Sequence, residues 1–302
     1  MEGFLSTKEA IDKYIAGCEA KAQMSDNRLF GKAILAGVMI GMGAAASSVA
    51  AHTIADVGLA RLAAAVVFPV GLMMVILLGA ELFTGDCLMA MGVSDRKYSI
   101  KDVIRVLVVV YFGNFVGASL LAVLIAMSGQ MDYSAGMLGA YTIKVAVGKA
   151  GISFDKGIIS GILCNILVCA AVLMALCAKD ITGKLLAAFF TIMLFVTAGF
   201  EHCVANMYYI TAGLLAKCNP AYVELAMEQY GYTGEQLEVL NISNYLLGNL
   251  VPVTIGNILG GICFIGLPLY FLNRDKTEVK EQSKGGVEHD VVYRRGITST
   301  GN

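Results

Sequence analysis

The chain has 302 residues, of which 57% are hydrophobic and only 15% charged, with a formal net charge of −1 and a mean hydropathy of +0.72. Soluble proteins carry about 25% charged residues, so this composition belongs to an integral membrane protein, and without a basic stripe of interleaved aromatics it excludes a nucleic-acid binder. The eight cysteines fall mostly in apolar runs and form no CxxC pair, which gives a zinc site or disulfide framework no support and favours packing residues.

Residues 1–28 are polar and mixed in charge, with no apolar stretch of signal-peptide type, so no signal peptide is expected. Phe4, Leu5, Ala10, Ile11, Tyr14, Ile15 and Cys18 recur at helical spacing. They predict an amphipathic cytoplasmic helix lying on the membrane surface or against a neighbouring subunit. A channel domain over 29–272 follows, with six predicted spans at 29–51, 62–93, 106–129, 157–178, 184–216 and 245–272. A short amphipathic piece over 135–150 is expected to dip against the membrane. The tail, 273–302, is polar and contains glycine, and is expected to be disordered.

Two of the spans are interrupted. Residues 62–80 carry no formal charge, and the run then meets Glu81, Thr84-Gly85 and Asp86 before turning apolar again. Either a helix ends at Ala80 and a loop begins, or the break is buried. Unpaired backbone in lipid costs several kcal/mol per group, so a buried break must be enclosed in protein or line a wet cavity. A second copy favours the buried break. The uncharged run 185–200 meets Glu201 and His202, and 203–216 is uncharged again. Gly113-Asn114 follows the first break and Gly256-Asn257 the second. Interrupted helices at matching places in two halves point to a transport pathway at the repeat interface.

Basic residues set the orientation. Seventeen fall in the N-terminal region, the loops after spans two and four, and the C-terminal tail; five fall on the other side. Both termini are therefore expected in the cytoplasm. Three spans per half then make the second repeat enter the membrane in the opposite sense to the first, an inverted pair. An asparagine in an apolar helix needs partners for its amide, so Asn114 and Asn257 read as props for backbone freed at the breaks. A lone histidine is more often a satisfied core residue than a working one, but His202 stands at a helix break beside Glu201 and opposite Thr84. That position makes it a proton donor or polariser for a weak-acid anion. Thr84 supplies a hydroxyl, and the half-helix N-termini offer N–H groups to anions.

Several motifs occur in order through the spans: Ala80-Glu81-Leu82-Phe83-Thr84, Tyr111-Phe112-Gly113-Asn114, Gly161-Ile162-Leu163-Cys164-Asn165, Ala198-Gly199-Phe200-Glu201-His202 with Ala205-Asn206-Met207, and Pro252-Val253-Thr254-Ile255-Gly256-Asn257. Together they resemble the formate–nitrite transporter family over roughly residues 1–272. The resemblance implies an all-α, aquaporin-like protomer of six transmembrane helices, with spans two and five broken, in a ring of five with one pore each. It implies an outer constriction at Phe68 and Phe195 and an inner one at Leu72, Leu82 and Phe83. Thr84 and His202 would lie between or beside them, Asn165 and Asn206 near the same chamber, and Lys149 at the outer vestibule, where its field draws anions. Residues 85–100 correspond to the family's mobile cytoplasmic loop.

The expected function is a plasma-membrane channel or carrier for small monovalent weak-acid anions, formate first, with hydrosulfide or nitrite as alternatives in the same family. An aquaporin-type channel for neutral solutes is a more distant alternative. Asn219-Pro220-Ala221 matches the aquaporin triplet but occurs once and has no counterpart in the first half. A membrane enzyme or sensor ranks last, since no metal cluster, nucleotide motif or soluble catalytic domain is present. No cofactor is expected.

Overall fold

The computed structural model describes residues 3–274; the rest of the tail expected to be disordered lies outside the described residues. The first repeat contains α1 (Thr7–Ala22), α2 (Asp26–Ala51), α3 (Val57–Val67), α4 (Val70–Leu78), α5 (Phe83–Asp86), α6 (Ala90–Ser94) and α7 (Ile100–Met127). The second contains α8 (Met137–Ala150), α9 (Phe154–Cys177), α10 (Ile181–Ala198), α11 (Cys203–Lys217), α12 (Pro220–Tyr230), α13 (Gly234–Leu237), α14 (Val251–Leu259) and α15 (Leu267–Leu272). Among the described residues six helical segments are long and apolar enough to cross a bilayer. The last, Asn244–Leu272, widens into π turns over Asn244–Leu250 and Gly260–Gly266. Pro252 and Pro268 lie just after these turns and have no N–H to donate back to them.

The two halves are built alike. α2 packs on α7 in the first, and α9 on α14 in the second. Each crossing is closed by glycine: a Cβ on Gly117 would lie 2.0 Å from Ile34 O, and one on Gly260 would lie 2.3 Å from Ile162 O. Both broken helices end on a left-handed glycine, Gly79 at φ 67° after α4 and Gly199 at φ 76° after α10. A side chain would be strained there, and glycine lets the chain leave the helix abruptly.

Two features differ from the sequence expectation. After the first break the chain does not resume a half-length helix: α5 lasts four residues and passes through a 3₁₀ turn, Cys87–Met89, into the five-residue α6. Gly85 and Gly92 weaken helix here, and Asp86 is drawn to Lys21. After the second break α11 runs for 15 residues. The 135–150 piece, expected to dip against the membrane, packs into the helix bundle of the chain. As α8 it buries Leu138, Ile143, Ala146 and Ala150 and packs on α11; small residues on both helices permit the approach, with Gly213 facing Ala146.

α1 packs on its own chain. Ser6 and Glu9 form a reciprocal cap at its start, and Arg105 donates to Ala22 O and Met24 O at its end. Its apolar face, including Ile11, Tyr14, Ile15 and Cys18, lies against α9, α6, α7 and α15. Tyr14 donates its hydroxyl proton to Gly85 O at 2.8 Å, which fixes the helix beside the first break.

Candidate functional site

Each break leaves backbone groups without helical partners, and one asparagine in each half takes them up. Asn114 Oδ1 accepts from Phe83 N at 2.9 Å, while its amide donates to Ala33 O and Glu81 O at 2.8 and 2.9 Å. Asn257 Oδ1 accepts from Cys203 N at 2.9 Å, while its amide donates to Gly161 O and Glu201 O at 2.8 and 3.0 Å. The two sets correspond partner for partner, so Leu82 and His202 occupy equivalent places in the chain. Three good hydrogen bonds in a buried, low-dielectric setting satisfy what would otherwise be costly orphan groups.

The same bonds take up part of the N–H groups expected to face anions. Phe83 N and Cys203 N are held by the asparagines, Ala205 N donates to His202 Nδ1 at 3.0 Å, and Asn206 N donates to His202 O.

His202 and Thr84 meet where the breaks meet. His202 Nε2 lies 2.9 Å from Thr84 Oγ1, both side chains buried. Because Nδ1 accepts from Ala205 N, the neutral ring carries its proton on Nε2 and donates it to Thr84 Oγ1. The Thr84 hydroxyl hydrogen is then free to point elsewhere. A second proton on Nδ1 would set N–H against N–H and break the cap of α11.

Around this pair runs a series of cavities. A cavity of about 260 Å³ opens at the α1 end and is walled by Tyr14, Lys21, Lys32, Leu72, Glu81 and Leu82, among others. Leu72 and Leu82 also wall a chamber of about 10 Å³ with Phe68, Phe195 and His202, about enough for one water. Beyond it, Phe68 and Phe195 meet edge to face with centroids 5.6 Å apart. They and His202 also line a cleft of about 150 Å³ at the α8 end, with Ser47, Lys149 and Tyr209. The apolar pairs therefore separate two wider, partly polar cavities.

Of the residues expected at the pore, the structure brings Phe68, Leu72, Leu82, Phe195 and His202 to one chamber, with Thr84 bonded to His202. Phe83 is not among them. One position after Leu82 on a helical turn, its ring points away and packs on Tyr111 at 5.0 Å, in an apolar groove with Ile104, Leu107 and Ile258. Asn165 donates to Thr84 O and Asn257 O at 3.1 and 2.6 Å, tying the two breaks together. Asn206 stands apart from the chamber, donating to Glu201 Oε2 and Asn249 Oδ1.

Lys149 is held by Glu201, with Nζ 3.1 and 3.2 Å from the two carboxylate oxygens. At the other break Glu81 accepts an ion pair from Lys21 at 2.6 Å and another from Lys32 at 3.3 Å, and Lys21 also pairs with Asp86. Burial works against the Lys21 ammonium, but the Asp86 and Glu81 carboxylates outweigh it and hold its pKa above the ordinary lysine value. Lys21, Lys32 and Asn249 were missed by sequence reading, since nothing local ties a lysine in α1 to a carboxylate some sixty residues on.

Residues 8–271 match the formate/nitrite transporter family. The chain belongs to that family. The formate channel FocA of Haemophilus influenzae is 36% identical over 219 residues, 72% of this chain and 76% of its own. A probable formate transporter of Methanothermobacter thermautotrophicus is 34% identical over 82% of this chain and 91% of its own. A solved pentameric formate channel with formate bound aligns at a TM-score of 0.73 and 32% identity, covering 82% of this chain and 97% of that one. This family member is thus an all-α, multi-pass membrane protein of two inverted three-span repeats with broken second and fifth spans, and its meeting breaks carry the Thr84–His202 pair.

Proposed function

We propose that the chain conducts small monovalent anions of weak acids, formate foremost, with nitrite and hydrosulfide as the alternatives within the family. The observation that carries this reading is the Thr84–His202 hydrogen bond set between two apolar constrictions. Both solved and curated relatives are described as formate channels or transporters, which supports formate as the first substrate.

An anion entering from either cavity sheds water at Leu72 and Leu82 or at Phe68 and Phe195. Stripping an isolated charge of water costs tens of kcal/mol in a purely apolar medium, so even a singly charged ion needs replacement donors. Thr84 supplies one. His202 Nε2–H donates to Thr84 Oγ1, strengthens that hydroxyl as a donor, and leaves its hydrogen for the ion. In this reading His202 is a polariser; its neutral tautomer has no spare proton to give. Leu72, Leu82, Phe68 and Phe195 part as the ion passes, since the chamber at rest is water-sized. Asn165 holds Thr84 in place, and Glu81 and Glu201, each neutralised by lysine, add little net repulsion. Divalent anions face a steeply larger desolvation cost and are excluded.

The reading extends to setting. The basic bias supports both termini in the cytoplasm of a cell membrane, and the pentameric relative supports a ring of five. Purified protein in liposomes tests the whole: formate, nitrite and hydrosulfide flux against sulfate, phosphate and glycerol, with native mass spectrometry for the oligomer. Sulfate moving as fast as formate would refute the mechanism. Glycerol passing while formate does not would make this a neutral-solute channel.

A further inference from the structure

Lys149 lines the α8-end cleft, yet its charge is matched by Glu201 at 3.1 and 3.2 Å. The pair offers little net field to an ion approaching from that side. Two other cations stand close by. A cavity of about 260 Å³ beside the cleft is walled by Arg61, Lys144, Tyr141, Ala60, Ala64 and Val196. It shares Ala64, Tyr141 and Val196 with the cleft, so one wall separates them. Arg61 Nη1 makes a long contact of 3.4 Å to Ala198 O, and a Cβ on Gly199 would meet that nitrogen at 2.8 Å. The guanidinium therefore rests on the second break itself. Lys144 Nζ faces the rings of Tyr230 and Tyr141, at 4.5 and 5.6 Å from their centroids.

Both cations are exposed, and among the described residues neither has a carboxylate within ion-pair distance. Arg61 also lies on the face of α3 opposite the exposed apolar stripe of Leu59, Leu62 and Val66. That stripe suits lipid, and the Arg61 face suits water. The cavity joins two uncompensated positive charges, a tyrosine and a short route to the pore.

We propose that Arg61 and Lys144 form a receiving site for small monovalent anions, from which they pass along Tyr141 into the cleft that ends at Phe68 and Phe195. The site rests on the transport reading above and adds the place where the ion is first concentrated. Clefts lined by one sign of charge raise the local concentration of counter-ions by about tenfold or more, and salt removes the effect.

The test uses the full chain in phosphatidylcholine vesicles at low ionic strength, with labelled formate as substrate. Arg61→Gln and Lys144→Gln should each raise the half-saturating concentration, and the double variant should raise it about tenfold. Flux at saturation should change far less, and the difference should vanish near 1 M potassium gluconate, where the Debye length is about 3 Å. Lys156→Gln, an exposed lysine at the start of α9, should shift nothing. A second readout needs no flux. The chain has no tryptophan, so Tyr141→Trp installs a single reporter in the shared wall. Iodide should quench it less once Arg61 and Lys144 are replaced by Gln, while neutral acrylamide quenches it equally. Unchanged half-saturation, unchanged iodide quenching, or a loss confined to saturating flux would each overturn the proposal. Wild-type protein that carries none of the three anions would refute the transport reading instead, and iodide quenching would still report on this site.

Discussion

Thr84 Oγ1 and His202 Nε2 lie 2.9 Å apart although 118 residues separate them in the chain. The bond joins the two broken helices at their tips and, because His202 Nδ1 is already occupied by Ala205 N, it has a fixed direction, from imidazole to hydroxyl. A hydrogen bond to a charged group contributes about 1.5–3 kcal/mol. Thr84→Val, which keeps the shape and removes the hydroxyl, should therefore lower formate flux about 10- to 100-fold, while Thr84→Ser stays close to wild type. Stopped-flow uptake into liposomes measures both, and equal flux in the Val and Ser variants would remove Thr84 from the conduction path.

The matched roles of Asn114 and Asn257 lead to matched losses. Replacing either with Leu strands a buried N–H and two carbonyls, each costing about 1–3 kcal/mol. Asn114→Leu and Asn257→Leu should lower the apparent Tm in detergent by similar amounts. A large drop in one and none in the other would show that the two breaks are not held alike.

Lys149 and Glu201 are both largely buried, with side chains 16% and 10% exposed. Breaking a buried ion pair from one side costs about 3–5 kcal/mol, whereas replacing both partners can be nearly neutral. Lys149→Met should destabilise the protein strongly, and Lys149→Met with Glu201→Gln should recover most of the loss. A free, anion-attracting lysine would show the opposite: little thermal effect in the single variant and no recovery in the double.

Much of this was legible in the residues. Glycine and glutamate interrupting two apolar runs marked the breaks, and an asparagine in each half marked its brace, because polar groups in such runs need partners. Long-range pairing was not legible. Lys149 read as a free vestibule cation because nothing local predicts Glu201 as its partner 52 residues on. Phe83 enters the inner constriction only through what the resemblance implies, and a motif match does not show the rotation that a helical turn imposes between Leu82 and Phe83. α1 read as a helix for the membrane surface or a neighbouring subunit because its apolar face fits either as well as it fits α9. The amphipathic face of α8 was equally ambiguous, and only the small residues of α11 opposite it decide that it is buried.

Lys21 anchors α1 to the first break. A lysine whose folded pKa is raised stabilises fully below its ordinary pKa of about 10.4, and that stability is lost only as pH rises through the folded value. The lysine side of the anchor should therefore not titrate between about pH 6 and about pH 9. Amide exchange in Thr7–Ala22, corrected for intrinsic rates, should be equally slow at pH 7 and pH 9 in wild type and fast at both in Lys21→Met. Loosening of the wild-type helix at pH 9 would count against this account.

Leu82, with Leu72, lines both the chamber and the α1-end cavity. Leu82→Ala should raise formate flux severalfold and admit somewhat larger monoanions such as acetate, with sulfate still excluded by its charge. Conductance measurements across these ions decide it, and sulfate passage in Leu82→Ala would mean that width, not desolvation, sets the exclusion.

At each break the backbone is held by Asn114 or Asn257 and turned by Gly79 or Gly199, while the residue that faces the chamber, Leu82 in one half and His202 in the other, plays no part in that bracing with its counterpart asparagine. The same bent chain accommodates an aliphatic side chain and an imidazole. Foldability and selectivity therefore drift on separate axes at position 82, where a change can retune what is admitted while the duplicated frame stays as it is; at position 202 the newcomer must also cap α11. Such an arrangement lets descendants of one inverted repeat diversify in cargo without having to rediscover how to fold.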